Sequence, residues 1–94
     1  MRKISSSLDD VKNRLMQNED FKFEYEREKE RRAIIEQIAQ TRKDNRVTQE
    51  QLANLIGTKK SNISRFEKGE TNPSLDFIIR IADALGLNLK LLSK

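Results

Sequence analysis

The chain has neither cysteine nor histidine. Disulfides, thiol nucleophiles, imidazole bases and most transition-metal sites fall away together. Enzyme chemistry is therefore not expected, and no catalytic residue, metal ion or cofactor is assigned. Tryptophan is absent and aromatics make up only 5% of the residues, so a core must be assembled from Ile, Leu, Val and Ala with four Phe, which suits a small helical bundle. No apolar run approaches the roughly 18 residues of a membrane span, and the N-terminus lacks the apolar stretch of a signal peptide. The expected location is the cytoplasm, with no membrane partner.

Charge is abundant. Asp, Glu, Lys and Arg are 36% of the 94 residues, a length that accommodates one core with an appendage but not two full domains. The net charge of +4 is unevenly placed: residues 1 to 29 hold seven basic and seven acidic side chains, so the whole excess lies in residues 30 to 94. A basic surface on that part fits a footprint for phosphate. A merely solvated surface explains the same number, so charge alone decides nothing.

The most informative stretch is TQEQLANLIGTKKSNISRFEKG, from Thr48 to Gly69. Thr48 is a good N-cap for a helix carrying Leu52, Ala53 and Ile56, and Gly57 supplies the left-handed residue that stops it. A second helix carries Ile63 and Phe66 inward and stops at Gly69. Small, glycine, branched apolar and apolar at 53, 57, 63 and 66 form the steric skeleton of a helix-turn-helix.

The flanks follow from periodicity and caps. Residues 1 to 6 are expected to be a flexible tip. Ser7 reads as an N-cap for a short helix over about 8 to 17, with Leu8, Val11 and Leu15 on one face and Met16 beside it. Asn18 opens another cap, followed by Phe21 and Tyr25 at i,i+4 spacing. The run EYEREKERR reads as a solvated helix face held by pairs such as Glu28 with Arg32. Ile34, Ile35, Ile38 and Ala39 then form the apolar face of the first bundle helix, which runs to Asp44 and Asn45, and Val47 is a hydrophobic staple ahead of Thr48. Beyond Pro73, Ser74 caps a helix that turns Leu75, Ile78, Ile81, Ala82 and Leu85 inward, with Phe77 and Ile79 nearby, and Gly86 ends it. Leu87, Leu89 and Leu91 alternate with Asn88 and Lys90. Period two argues for a short strand that pairs in a dimer, or for an extended tail packed on its own domain.

With Gln49 opening the first helix of the pair, NISRFEKGETNPSL following, and IADALG at the end, residues 30 to 86 resemble the Cro/cI-type (XRE) family of DNA-binding domains. The expected fold is accordingly all-α: a five-helix Cro/cI-like helix-turn-helix bundle over residues 30 to 94, with an N-terminal helical extension over residues 1 to 29 and the short C-terminal strand. The resemblance implies that Lys60, Ser61 and Arg65, flanked by Lys59 and Asn62, read bases in the major groove of double-stranded operator DNA. It places Gln49, Lys68, Thr71 and Asn72 on phosphates. It also implies an ion pair between Arg42 of the first bundle helix and Glu67 of the reading helix.

About thirty residues precede the bundle, neutral overall, with Leu8, Val11, Leu15, Phe21, Phe23 and Tyr25 as apolar side chains lacking an obvious core. This preface, then IIEQIAQTRK, the helix-turn-helix, NPSL and IADALG, resembles the HigA-type antitoxins. The resemblance implies a homodimer that represses its own operon at an inverted repeat and neutralises a HigB/RelE-like, mRNA-cleaving toxin through those six residues. The alternative is a stand-alone XRE-family repressor whose preface is a dimerisation arm.

Overall fold

The computed structural model describes residues 10–14 and 18–93. The expected flexible tip, the Ser7 cap, Leu8, Leu15 and Met16 lie outside them. Residues 10–14 are helical, and four further helices follow: α1 (Glu19–Asp44), α2 (Gln49–Ile56), α3 (Lys60–Glu67) and α4 (Leu75–Ala84). The chain divides into two compact units, Met1–Arg31 and Arg32–Lys94.

Helix α1 begins where Asn18 Oδ1 accepts a hydrogen bond from the Phe21 amide at 3.1 Å, with Glu19 and Asp20 in the first turn and Arg42 and Lys43 in the last. It is continuous for 26 residues, so no helix start lies at Glu30. The charged run contains no glycine, proline or competing cap, and its residues are good helix formers, so nothing in it stops propagation. Its support comes at i,i+3: Glu24 with Arg27, and Glu28 Oε1 with Arg31 Nη1 at 2.7 Å. Arg31, not Arg32, is therefore the partner of Glu28.

Within Arg32–Lys94, α2 packs against both α3 and α4. The core joins Ile35 and Ile38 of α1, Leu52, Ala53 and Ile56 of α2, Ile63 and Phe66 of α3, and Ile81 and Leu85 at the end of α4, with Val47, Phe77, Ile78 and Leu87 packed on it. Phe66 and Phe77 meet edge to face, centroids 5.7 Å apart, a favoured aromatic geometry. Two expected inward residues, Ile34 and Leu75, differ, as does Ile79 beside them. Ile34 and Ile79 are exposed, each one residue and hence about 100° out of phase with the stripe beside it. Leu75 is 65% exposed at the first position of α4, because periodicity fixes a face without fixing how far its cover extends.

One hydrogen-bond pattern closes all four helices. At each end two amides reach back, one across five residues and one across three: Val47 to Arg42 O with Arg46 to Lys43 O, and Thr58 to Ala53 O with Gly57 to Asn54 O. Glu70 and Gly69 close α3, and Leu87 and Gly86 close α4, in the same way. This Schellman closure needs a left-handed residue. Gly57 supplies it at φ 74°, while at α1 the position falls to Arg46 at φ 59°, where a side chain is strained.

The tail is neither helix nor strand over residues 87–93. Leu87 packs on the core, whereas Leu89 is 44% and Leu91 98% exposed. The expected strand is thus absent among the described residues: a single chain offers this segment no edge with which to form a ladder.

No helix among the described residues is long and apolar enough to cross a membrane.

Candidate nucleic-acid interface

Helix α2 starts in a reciprocal cap. The Thr48 hydroxyl accepts from the Gln51 amide at 3.0 Å, and the Gln51 side chain accepts from the Thr48 amide at 2.9 Å. The three-residue turn at 57 to 59 then delivers α3. Ile63 and Phe66 are buried, which leaves Ser61, Arg65 and Lys68, spaced i, i+4 and i+7, on the opposite and exposed side. Lys59 and Lys60 are exposed at its start, and Asn62 is half-buried at its flank.

The start of α3 breaks the rule that the other helices obey. Asn18, Thr48 and Ser74 each cap a helix with a side-chain oxygen, and each of those helices has an acidic residue in its first turn. Helix α3 has neither: Lys59 occupies the cap position without a side-chain hydrogen bond, the first turn holds no acid, and Lys60 follows. Two cations stand at the positive end of the helix dipole, and the first-turn amides lack a side-chain acceptor. This end is unfavourable in isolation and is complemented by an anion, to which backbone N–H groups and lysines both donate.

Two of the five expected base-reading side chains are tied together. Arg65 Nη2 donates to Asn62 Oδ1 at 2.7 Å, and Asn62 Nδ2 donates to Thr58 Oγ1 at 2.8 Å. The chain of bonds steers the Arg65 guanidinium along the outer face and reduces the rotamer freedom it would lose on contact.

Behind α3 lies the pair from Arg42 and Glu67. Arg42 Nε donates to Glu67 Oε2 at 2.6 Å and Nη2 to Oε1 at 3.0 Å, while Nη1 donates to the Val47 carbonyl at 2.7 Å. Arg42 is 8% exposed. Gln49 Nε2 also donates to Glu67 Oε1, at 2.9 Å. Burial alone would raise the Glu67 pKa, but the hydrogen bonds from Arg42 and Gln49, with the charges of Arg42 and Lys43, outweigh it and hold the carboxyl below its ordinary value. One carboxylate thus joins α1, the start of α2 and α3. One of the two Gln49 amide hydrogens is thus committed inside the domain, which leaves the other for an external acceptor.

Of the other expected phosphate residues, Lys68 and Asn72 are exposed and Thr71 is half-buried, all in or beside the loop after α3. An open groove of about 790 Å³ runs between α1 and α3, lined by Ala33, Gln40, Lys43, Gln49, Ser64 and Lys68 among others. Lys43 and Ser64 were not singled out from sequence. The available signal was the stripe Ala33, Glu36, Gln37, Gln40 and Lys43, small or polar at i,i+3/i+4 spacing, which runs along the groove.

In Met1–Arg31, Phe21 and Tyr25 stack with centroids 6.4 Å apart, Lys12 Nζ lies 5.2 Å from the centre of the Tyr25 ring, and Arg27 covers Phe23 at 5.0 Å. Phe21 and Tyr25 are half-buried, Val11 is exposed, and Phe23 is 63% exposed.

Over 59 residues the chain is 36% identical to an uncharacterized HTH-type transcriptional regulator of Haemophilus influenzae, a match covering 63% of this chain and 60% of that one. Over 56 residues it is 36% identical to the cryptic phage CTXphi transcriptional repressor RstR of Vibrio cholerae, covering 60% of this chain and 50% of that protein. The chain therefore spans between half and three fifths of the length of these relatives. No solved structure matches it. A family model described as helix-turn-helix matches residues 38–92, more than half of the chain and the whole of α2, α3 and α4, and the protein belongs to the helix-turn-helix family.

Proposed function

We propose that the protein is a transcriptional repressor that binds double-stranded operator DNA as a homodimer at an inverted repeat, with α3 in the major groove. The carrying observation is the start of α3, the one named helix without a side-chain cap or acidic first turn, with Lys59 and Lys60 in their place. A phosphate backbone complements that end, and Ser61 and Arg65 on the exposed side then face base edges. Lys60 and Arg65 read guanine, Ser61 and Asn62 adapt to neighbouring edges, and Lys68, Thr71 and Asn72 hold phosphate with the α2 start at Gln49. The name of the Vibrio cholerae relative, a repressor, agrees with this reading.

Gel-shift titrations on operator and scrambled duplexes test it. Arg65→Ala should lose about 1 to 3 kcal/mol of discrimination between the two, while Lys68→Ala weakens both alike. Equal losses on both duplexes for Arg65→Ala would remove its base-reading role.

A second reading makes this repressor a HigA-type antitoxin. It is favoured by Met1–Arg31, which lies outside the family match and presents Phe23, Val11 and the Phe21–Tyr25 stack with no fully buried residue among those described. Aromatic anchors of this kind dominate interface energetics. In this reading the extension over residues 1 to 29 holds a HigB/RelE-like toxin, and the domain over residues 30 to 94 holds DNA. Deleting residues 1 to 29 should then abolish protection of cells carrying the toxin while operator binding persists. Protection by the shortened protein would exclude the role, and loss of dimer and DNA binding together would identify a dimerisation arm instead.

A further inference from the structure

Arg32 is the first residue of the second compact unit, and its guanidinium does not sit where a helix-surface arginine ordinarily does. Glu36 stands four residues along the same helix, a spacing that favours an ion pair, yet Arg32 forms none with it or with any other carboxylate among the described residues. The side chain instead crosses to the end of α3 and lies over Gly69. A Cβ added to that glycine would stand 3.0 Å from Nη2, 3.6 Å from Cζ and 3.7 Å from Nη1, so the terminal fork lies beside the space that a side chain at this position would take. Even Glu70, next in the chain and exposed, is left unpaired with it.

An exposed cation laid over the glycine that follows Lys68 in the chain forms no ion pair with a carboxylate among the described residues. We propose that the Arg32 guanidinium, laid over Gly69, forms a phosphate seat for the DNA strand, an additional backbone contact contributed by α1. The inference rests on the DNA-binding reading above and adds to it a residue outside the helix-turn-helix unit. A planar fork suits a phosphate because two of its N–H groups can engage two oxygens together. Gly69 leaves open the space into which that fork fits, so its missing side chain serves the seat as well as the helix end. The competing role is structural: a cation beside the C-terminus of α3 also interacts favourably with the helix dipole.

Backbone contacts carry no sequence information, so the test requires no known operator. Binding of the full chain to a mixed-sequence duplex of about 30 base pairs is followed by fluorescence anisotropy across roughly 50 to 200 mM salt, where each neutralised phosphate contributes about 0.9 to the slope of log K against log salt. Arg32→Ala should lower that slope by about 0.9 and weaken binding by about tenfold at the low-salt end. Arg32→Lys should recover most of the slope but only part of the affinity, since a point charge replaces the fork. Lys22→Ala, which removes the same charge from the other unit, should leave the slope unchanged. An unchanged slope for Arg32→Ala overturns the seat, whether or not the melting temperature falls, and a fall in melting temperature alone assigns Arg32 to the helix end. If the unmodified chain fails to bind any duplex, the DNA-binding reading itself fails, an outcome distinct from normal binding with an indifferent Arg32.

Discussion

Replacing Glu67 by alanine tests whether one carboxylate holds the orientation of α3. The side chain accepts two hydrogen bonds from Arg42 and one from Gln49, and its loss leaves the Arg42 guanidinium with the Val47 carbonyl as its remaining acceptor. The side chains of Arg42 and Glu67 are 10% and 9% exposed, so solvent does little to screen the orphaned charge. Removing one partner of a buried pair costs about 3 to 5 kcal/mol, against about 0 to 1 kcal/mol for an exposed one. At about 4 to 8 °C per kcal/mol for a domain of this size, the melting temperature should fall by about 12 °C or more. Removing both charges, in Arg42→Met with Glu67→Leu, should recover much of that loss, because the penalty lies in the unpaired cation and not in the absence of the pair. Thermal melts of Arg42→Met, Glu67→Leu and the double variant close the cycle. A fall below about 4 °C for Glu67→Ala would refute the reasoning, since the pair would then behave as solvated.

The same carboxylate sets an acid limit. Its folded pKa lies below the unfolded value, so its contribution is complete above the unfolded pKa and is lost as pH falls through the folded one. Urea titrations of the unmodified chain should show stability declining below about pH 4.3, with Glu67→Ala lacking that component. Arg46→Gly should raise stability by about 0.5 to 1 kcal/mol by relieving the left-handed strain at φ 59°, as read from a shifted urea midpoint; no shift would mean the Arg46 side chain compensates elsewhere. Leu89→Lys should shift the monomer–dimer equilibrium towards monomer in sedimentation experiments, because Leu89 and Leu91 border an open apolar groove of about 510 Å³ with Leu75 and Ile79; unchanged sedimentation would exclude this face from the dimer.

Much of this architecture is written locally. Thr48 with Gln51, Gly57, Gly69, Ser74 and Gly86 act through bonds to residues at most five positions away, so each is readable where it stands. The core of α2 and α3 was legible for the same reason, since Leu52, Ala53, Ile56, Ile63 and Phe66 need only the helical period. What escaped depends on distance along the chain or on competition between signals. The run EYEREKERR reads as a solvated helix face and is one, but the bundle helix expected after it is the same helix, since no stop signal separates the two. Glu28 has arginines at both i+3 and i+4, and the pattern cannot rank them. The bond from Gln49 to Glu67 leaves no local trace because the two residues stand 18 positions apart. The crossing of Arg32 to Gly69 spans 37 positions and leaves no periodic trace. The alternating leucines describe a face that one copy of the chain does not cover.

The shared closure of the four helices also bears on how the chain finds its fold. Every stop is made by amides that reach back no more than five residues, so each helix end is specified by the sequence beside it. These helices are joined by loops of three to seven residues, with little loop-closure entropy to overcome. Chains rich in such short-range contacts cross their folding barrier in microseconds to milliseconds.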